Sequence, residues 1–210
     1  MLKFKNHIKE AYTKVSEKTI QTLITQWTNT ETALGRWRER GISIPLDAPP
    51  PINSEIEIVQ NIADRSSKQE RDFGVGIDRS KLHYQMWASE ATRITGKLYD
   101  SDFFSRISTN IDGLVLHYKY AYARERPYQH GVRSLVGDIG TPSYPSGHAA
   151  DAWVFAYVLS KKHPHLSTKF EAIAKKVSDS RIILGVHFPS DCEAGKLVAK
   201  FIMDNQLIDY

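Results

Sequence analysis

The chain has 210 residues, 41% of them hydrophobic, enough for one well-buried core and within the usual size of one domain. Its 28 basic and 24 acidic residues leave a formal charge of +4, and they are scattered, so no lysine- or arginine-rich run is present to track a nucleic-acid backbone. No apolar run approaches the roughly 18 residues of a membrane span, no apolar stretch follows the charged start, and a lone cysteine, Cys192, excludes an intramolecular disulfide.

From Phe4 the apolar residues Ile8, Ala11, Tyr12, Val15, Leu23, Ile24 and Trp27 recur at three- and four-residue steps, which predicts an amphipathic helical segment within residues 1–45. Its stripe is expected to pack against the rest of the domain, a second copy of the chain or a membrane surface being the alternative. Pro45, Pro49, Pro50 and Pro51 exclude helix, so 46–53 reads as a connection, with Asn53 or Ser54 placed to cap a helix from about Glu55. Further helical periods cover 81–98, 102–125, 147–162, 167–184 and 190–207. Residues 128–144, rich in Gly, Ser and Pro, read as a long loop of the kind that carries function. No strand alternation appears, so the expectation is all-α: a single-domain helical bundle over 1–210 with its core in 54–210.

Three polar clusters follow in order. Lys119 and Arg126 are seven apart, which on a helix places both on one face, with Pro127 ending it. Pro145-Ser146-Gly147-His148 precedes an apolar helix, so Ser146 takes the N-cap position, Gly147 permits close backbone approach, and the free amides make an anion site. Arg181 lies late in a helix that Gly185 can terminate; His187 falls in the turn before Pro189, and Asp191 is within reach of one imidazole nitrogen. Alone, each cluster has a plain reading as well: a solvated basic face, the favoured one for Lys119 and Arg126, a capped helix with a core histidine, or a capping aspartate. Together they supply three cations, two imidazoles and a carboxylate for one phosphoryl transition state. Lys119, Arg126, Arg181 and the amides near Gly147 would hold the equatorial oxygens, with Ser146 as a further donor. His187, held by Asp191, would attack phosphorus; His148 would protonate the leaving oxygen and then activate water.

These residues resemble the signature of the type 2 phosphatidic acid phosphatase superfamily, which includes bacterial class A acid phosphatases, membrane lipid phosphatases and vanadium-dependent haloperoxidases. The likeness spans 119–191 and has every signature position: Lys119, Arg126, Pro127, Pro145, Ser146, Gly147, His148, Ser180, Arg181, His187 and Asp191. It implies a site at one end of the core helices and hydrolysis through a phosphohistidine without a metal, His187 being the nucleophile and His148 the acid. The expectation is thus an acid-phosphatase-type enzyme acting on a small phosphorylated substrate, with no resident cofactor and with vanadate as a transition-state mimic. A haloperoxidase using vanadate as cofactor is the alternative, and an inactive anion-binding module the third reading. With neither leader nor span visible, the expected location is cytoplasmic, or periplasmic if a leader has been removed. Tyr120, Tyr122, Tyr128 and Tyr144 are candidates to stack on a base or sugar, half-buried packing being the plainer reading. His163-Pro164-His165 lacks a third ligand at a recognisable spacing and reads as a surface turn.

Overall fold

A computed structural model of the chain describes residues 17–44 and 46–210, so the predictions resting on Phe4, Ile8, Ala11, Tyr12, Val15 and Pro45 lie outside the described residues. Among the described residues there are nine α-helices and no strand. They are α1 (Glu17–Thr28), α2 (Ala33–Arg40), α3 (Ile56–Arg65), α4 (Lys68–Gly76), α5 (Ser80–Thr95), α6 (Ser101–Tyr122), α7 (Gly147–Lys162), α8 (Ser167–Ile183) and α9 (Pro189–Asp204). The all-α expectation holds.

Helix α7 is the axis of the core. Ala150, Ala152, Val154, Phe155, Ala156, Val158 and Leu159 are all fully buried, because α6, α8 and α9 cover this helix on several sides. A helix apolar nearly all round is the expected sequence of such an element. Phe104 and Trp87 close the core with edge-on aromatic contacts to Phe155, their ring centroids at 5.0 and 5.7 Å. In α1 the stripe residues Leu23 and Ile24 are buried, with Ile20 beside them, where the helix meets α2 and α6, and Trp27 packs against the same core, so the described part of that stripe packs within the bundle.

Periodicity misses two short helices. Thr32 caps α2 by accepting a hydrogen bond from the Gly35 amide, and Ser67 and Glu70 form a reciprocal capping box that starts α4. Both helices depend on local capping more than on a long apolar stripe. Neither proposed cap of α3 is used: Glu55 occupies the N-cap position and its side chain makes no cap bond.

The connection before α3 is held as a strap. The carbonyls of Leu46, Asp47 and Pro50 accept from Tyr122 Oη, Tyr144 Oη and Arg124 Nη2 at 2.8, 2.9 and 3.0 Å. Extended, proline-rich backbone leaves its carbonyls unpaired, and side chains from the motif region satisfy them here. Tyr128 likewise donates to the Ile139 carbonyl at 3.1 Å. For Tyr122, Tyr128 and Tyr144 the packing reading therefore prevails. His163 is a correction: it is buried, with Nε2 2.9 Å from Tyr99 Oη, and of that turn Pro164 and His165 are exposed.

Candidate active site

The C-terminal ends of α6 and α8, the loops that follow them and the N-terminal ends of α7 and α9 carry all three clusters. Alternating helix direction thus collects the motifs at one end of the core. Two close approaches hold that end together. The Ser146 amide donates to the Asp191 carbonyl at 2.9 Å, joining the starts of α7 and α9. A Cβ on Gly195 would lie 2.7 Å from the Ser146 carbonyl oxygen, so only glycine lets α9 come so near.

Lys119 sits in the last turn of α6, but Arg126 does not share its helix, contrary to the sequence expectation. The helix stops at Tyr122, Ala123 adopts a left-handed conformation with φ 48°, and Arg126 is extended at φ −93°, ψ 157°. Pro127 disfavours helical backbone at the residue before it, so Arg126 leaves the helix altogether. The two cations still converge, through the loop they both grip. Lys119 Nζ donates to the carbonyls of Pro142 and Ser143 at 2.8 and 3.1 Å, and Arg126 Nε donates to that of Thr141 at 2.8 Å.

His187 lies between a donor and an acceptor. Its Nδ1 is 3.2 Å from Asp191 Oδ2, and its Nε2 is 3.1 Å from Arg126 Nη1. A carboxylate only accepts and a guanidinium only donates, so the neutral ring carries its proton on Nδ1 and its lone pair on Nε2. Burial, then the charges of Arg126, Lys119 and Arg181, hold His187 well below the ordinary histidine range. Asp191, fully buried, also accepts from the Phe188 amide at 2.8 Å and from Ser143 Oγ. It thus caps α9 and reaches the imidazole at once.

Ser146 is the N-cap of α7, accepting from the Ala149 amide at 3.4 Å. His148 follows in the first turn, and its Nε2 is 3.0 Å from the Asp78 carbonyl oxygen. A carbonyl only accepts, so Nε2 bears the proton and Nδ1 is the nitrogen left to exchange one. Burial, then Arg181, His83 and His187, push His148 well below its ordinary value. Arg181 joins the two halves of the site. Its Nη2 pairs with Asp78 Oδ1 at 2.7 Å, while Nε and Nη1 are buried without a partner.

Lys119, Arg126, Ser146, Arg181, His187 and Asp191 each expose 5% or less, whereas Gly147 and His148 are half-buried and form the open edge. Burial comes first in lowering Lys119 well below the lysine range and Arg126 to about 10, and their mutual repulsion with Arg181 adds to it. All eight candidate residues are therefore brought together. Five neighbours carried no recognised signal. Asp78 pairs with Arg181, His83 stacks on His148 with centroids 5.1 Å apart, and Ser143 donates to Asp191. The fourth and fifth are Arg124 and Glu55, paired at 2.8 Å.

Residues 103–203 match the family model described as the PAP2 superfamily. Among curated proteins, the non-specific acid phosphatase of Providencia stuartii is 42% identical over 57 residues, 27% of this chain and 23% of that protein. The non-specific acid phosphatase of Salmonella typhi is 39% identical over 56 residues, 27% of this chain and 22% of that one. The chain thus spans less than a quarter of the length of these relatives. Among solved structures, the first transmembrane PAP2-type phosphatidylglycerolphosphate phosphatase from Bacillus subtilis aligns with a TM-score of 0.50 at 22% identity, over 73% of this chain and 84% of that one. A bacterial vanadium-dependent iodoperoxidase aligns with a TM-score of 0.55 at 15% identity, over 78% of this chain and 51% of that one. At such identities the two structures speak for the fold alone, and no described helix here is long and apolar enough to cross a membrane. The stretch that matches the PAP2 superfamily, residues 103–203, is just under half of the chain and holds all eight candidate residues.

Proposed function

We propose that this chain is a phosphomonoesterase that hydrolyses small organic phosphates through a phosphohistidine, with its own cations in place of a metal. The observation that carries the reading is Arg181. Two N–H donors of an almost fully buried guanidinium have no acceptor, each an unfavourable state of about 1–3 kcal/mol, and the charge of that guanidinium acts on both imidazoles and on Lys119 and Arg126. A phosphate oxygen is the acceptor that such a fork fits.

In this mechanism the phosphate displaces Arg126 from His187 and rests on Lys119, Arg126, Arg181, the first amides of α7 and Ser146. His187 Nε2 attacks phosphorus, the bond to the ester oxygen breaks, and His148 gives its Nδ1 proton to the departing alkoxide. Asp191 accepts the Nδ1–H of His187 and balances the charge on the phosphorylated ring. His148 then takes a proton from water as it attacks phosphorus, and the nitrogen–phosphorus bond breaks to release phosphate. Both imidazoles are neutral in the free protein, so the leaving-group proton arrives with a substrate monoanion or is taken up as the phosphate charge offsets the cations. A site whose cations, nucleophile and serine are almost entirely buried suits a small substrate.

The test is hydrolysis of an aryl phosphate in excess chelator, with vanadate as competitive inhibitor. Activity is expected to survive chelation and to be lost in His187→Ala. Robust turnover by that variant would remove the mechanism. Peroxide-dependent bromination after vanadate loading, without phosphate release, would replace it with the haloperoxidase reading.

A further inference from the structure

We infer that Glu55 and Arg124 are positioning residues for the nucleophile, through a buried relay Glu55–Arg124–Asp191–His187; the inference rests on the phosphohistidine reading. Arg124 precedes Arg126 by two residues and points the other way, behind the site. Its Nη1 donates to Asp191 Oδ1 at 2.7 Å and to Ser190 Oγ at 2.7 Å. Its Nη2 donates to Glu55 Oε2 at 2.8 Å, and its guanidinium carbon lies 4.1 Å from the centre of the Phe188 ring. Glu55 in turn accepts from the Ser190 amide at 2.9 Å and the Ser190 hydroxyl at 2.5 Å. All three ionic side chains are buried: Glu55 exposes 7%, Arg124 5% and Asp191 none.

The geometry assigns the pair a task that the other contacts of Asp191 leave undone. Asp191 Oδ2 serves His187, Ser143 and the Phe188 amide, and Oδ1 has only Arg124. Without that fork the carboxylate can rotate about its own bond, and the Nδ1–H bond that sets the His187 tautomer goes with it. Glu55 holds the guanidinium against Asp191 and pins Ser190, in the first turn of α9, to the same point. Glu55 lies outside the segment matched to the family, so the nucleophile's orientation depends on the upstream strap.

The experiment compares Glu55→Gln and Arg124→Lys with the wild type in the full chain. A glutamine cannot accept from all three donors that Glu55 serves, and a lysine cannot span Asp191 and Glu55 together. Two-bond ¹H–¹⁵N correlations of the imidazoles, assigned with a His187 variant, report the tautomer of His187 without any need for turnover. The wild type is expected to show a proton on Nδ1, and both variants an increased share on Nε2. In aryl phosphate hydrolysis kcat is expected to fall about 10- to 100-fold, with KM within about 2-fold, since the fault lies in aiming the nucleophile. Folded variants that keep the wild-type tautomer and kcat would overturn the relay. If Glu55→Gln does not fold, Arg124→Lys decides alone, and a fall in Tm without a tautomer change makes the pair structural only and refutes the assignment. If the wild type hydrolyses nothing, the phosphatase reading fails while the tautomer still judges the relay.

Discussion

Replacing His83 with glutamine should flatten the acid end of the stability profile. His83 is fully buried, its Nε2 accepts from Trp87 Nε1 at 3.0 Å, and its Nδ1 has no partner. Burial, reinforced by the charge of Arg181, lowers it from the ordinary 6.5 to about 3. The unfolded chain therefore takes up this proton near pH 6.5 while the folded chain resists until about 3, and stability present above 6.5 is lost as pH falls across that window. At pH 5 this one ring costs about 2 kcal/mol, a figure insensitive to the folded value while it stays below about 4. Glutamine keeps an oxygen for Trp87 and has no proton to gain. Urea unfolding at pH 7 and pH 5, at fixed ionic strength, should show the variant losing about 2 kcal/mol less than the wild type over that interval. His148 and His187, lowered mainly by burial in the same direction, supply a background common to both proteins. Equal losses within about 0.5 kcal/mol would refute the burial argument for His83.

Three other outcomes follow from the geometry. Gly147→Ala places a methyl 3.8 Å from Val115 and 4.0 Å from Lys119 Cε, ordinary contacts, so unfolding free energy should stay within about 0.5 kcal/mol while kcat/KM falls about 10-fold or more as the methyl crowds the edge where a phosphate must approach the α7 amides. Gly185→Ala should cost about 2–4 kcal/mol in urea unfolding, because φ there is +70° and a Cβ would stand 2.4 Å from the Arg133 carbonyl oxygen. Cys192 is 3% exposed with its thiol pushed up by burial and by Asp191, so an aromatic disulfide reagent at pH 8 should label it only in urea; prompt labelling of the native protein would contradict that burial.

The core helices were legible because their causes are local. Windows 102–125 and 190–207 read from the three- and four-residue period correspond to Ser101–Tyr122 and Pro189–Asp204, and Gly185 and Pro189 mark a stop and a start through their own backbone preferences. The shorter Ala33–Arg40 and Lys68–Gly76 escaped because capping, more than an apolar stripe, begins them. At Arg126 two local rules competed. Helical spacing from Lys119 placed it on a shared face, and the constraint imposed by Pro127 won.

The order and identity of the motif residues, Lys119 through Asp191, were determined by the sequence alone, and so were the donors, acceptors and helix-end amides they offer, since these belong to residue types and nearest neighbours. Which partners complete them was decided by the tertiary structure. Asp78 meets Arg181 across 103 positions, Glu55 meets Arg124 across 69, and Arg124 meets Asp191 across 67. Periodicity registers only residues within a few turns of one another, whereas these contacts arise where opposed helix ends bury charges that must then find counter-charges from wherever the chain passes.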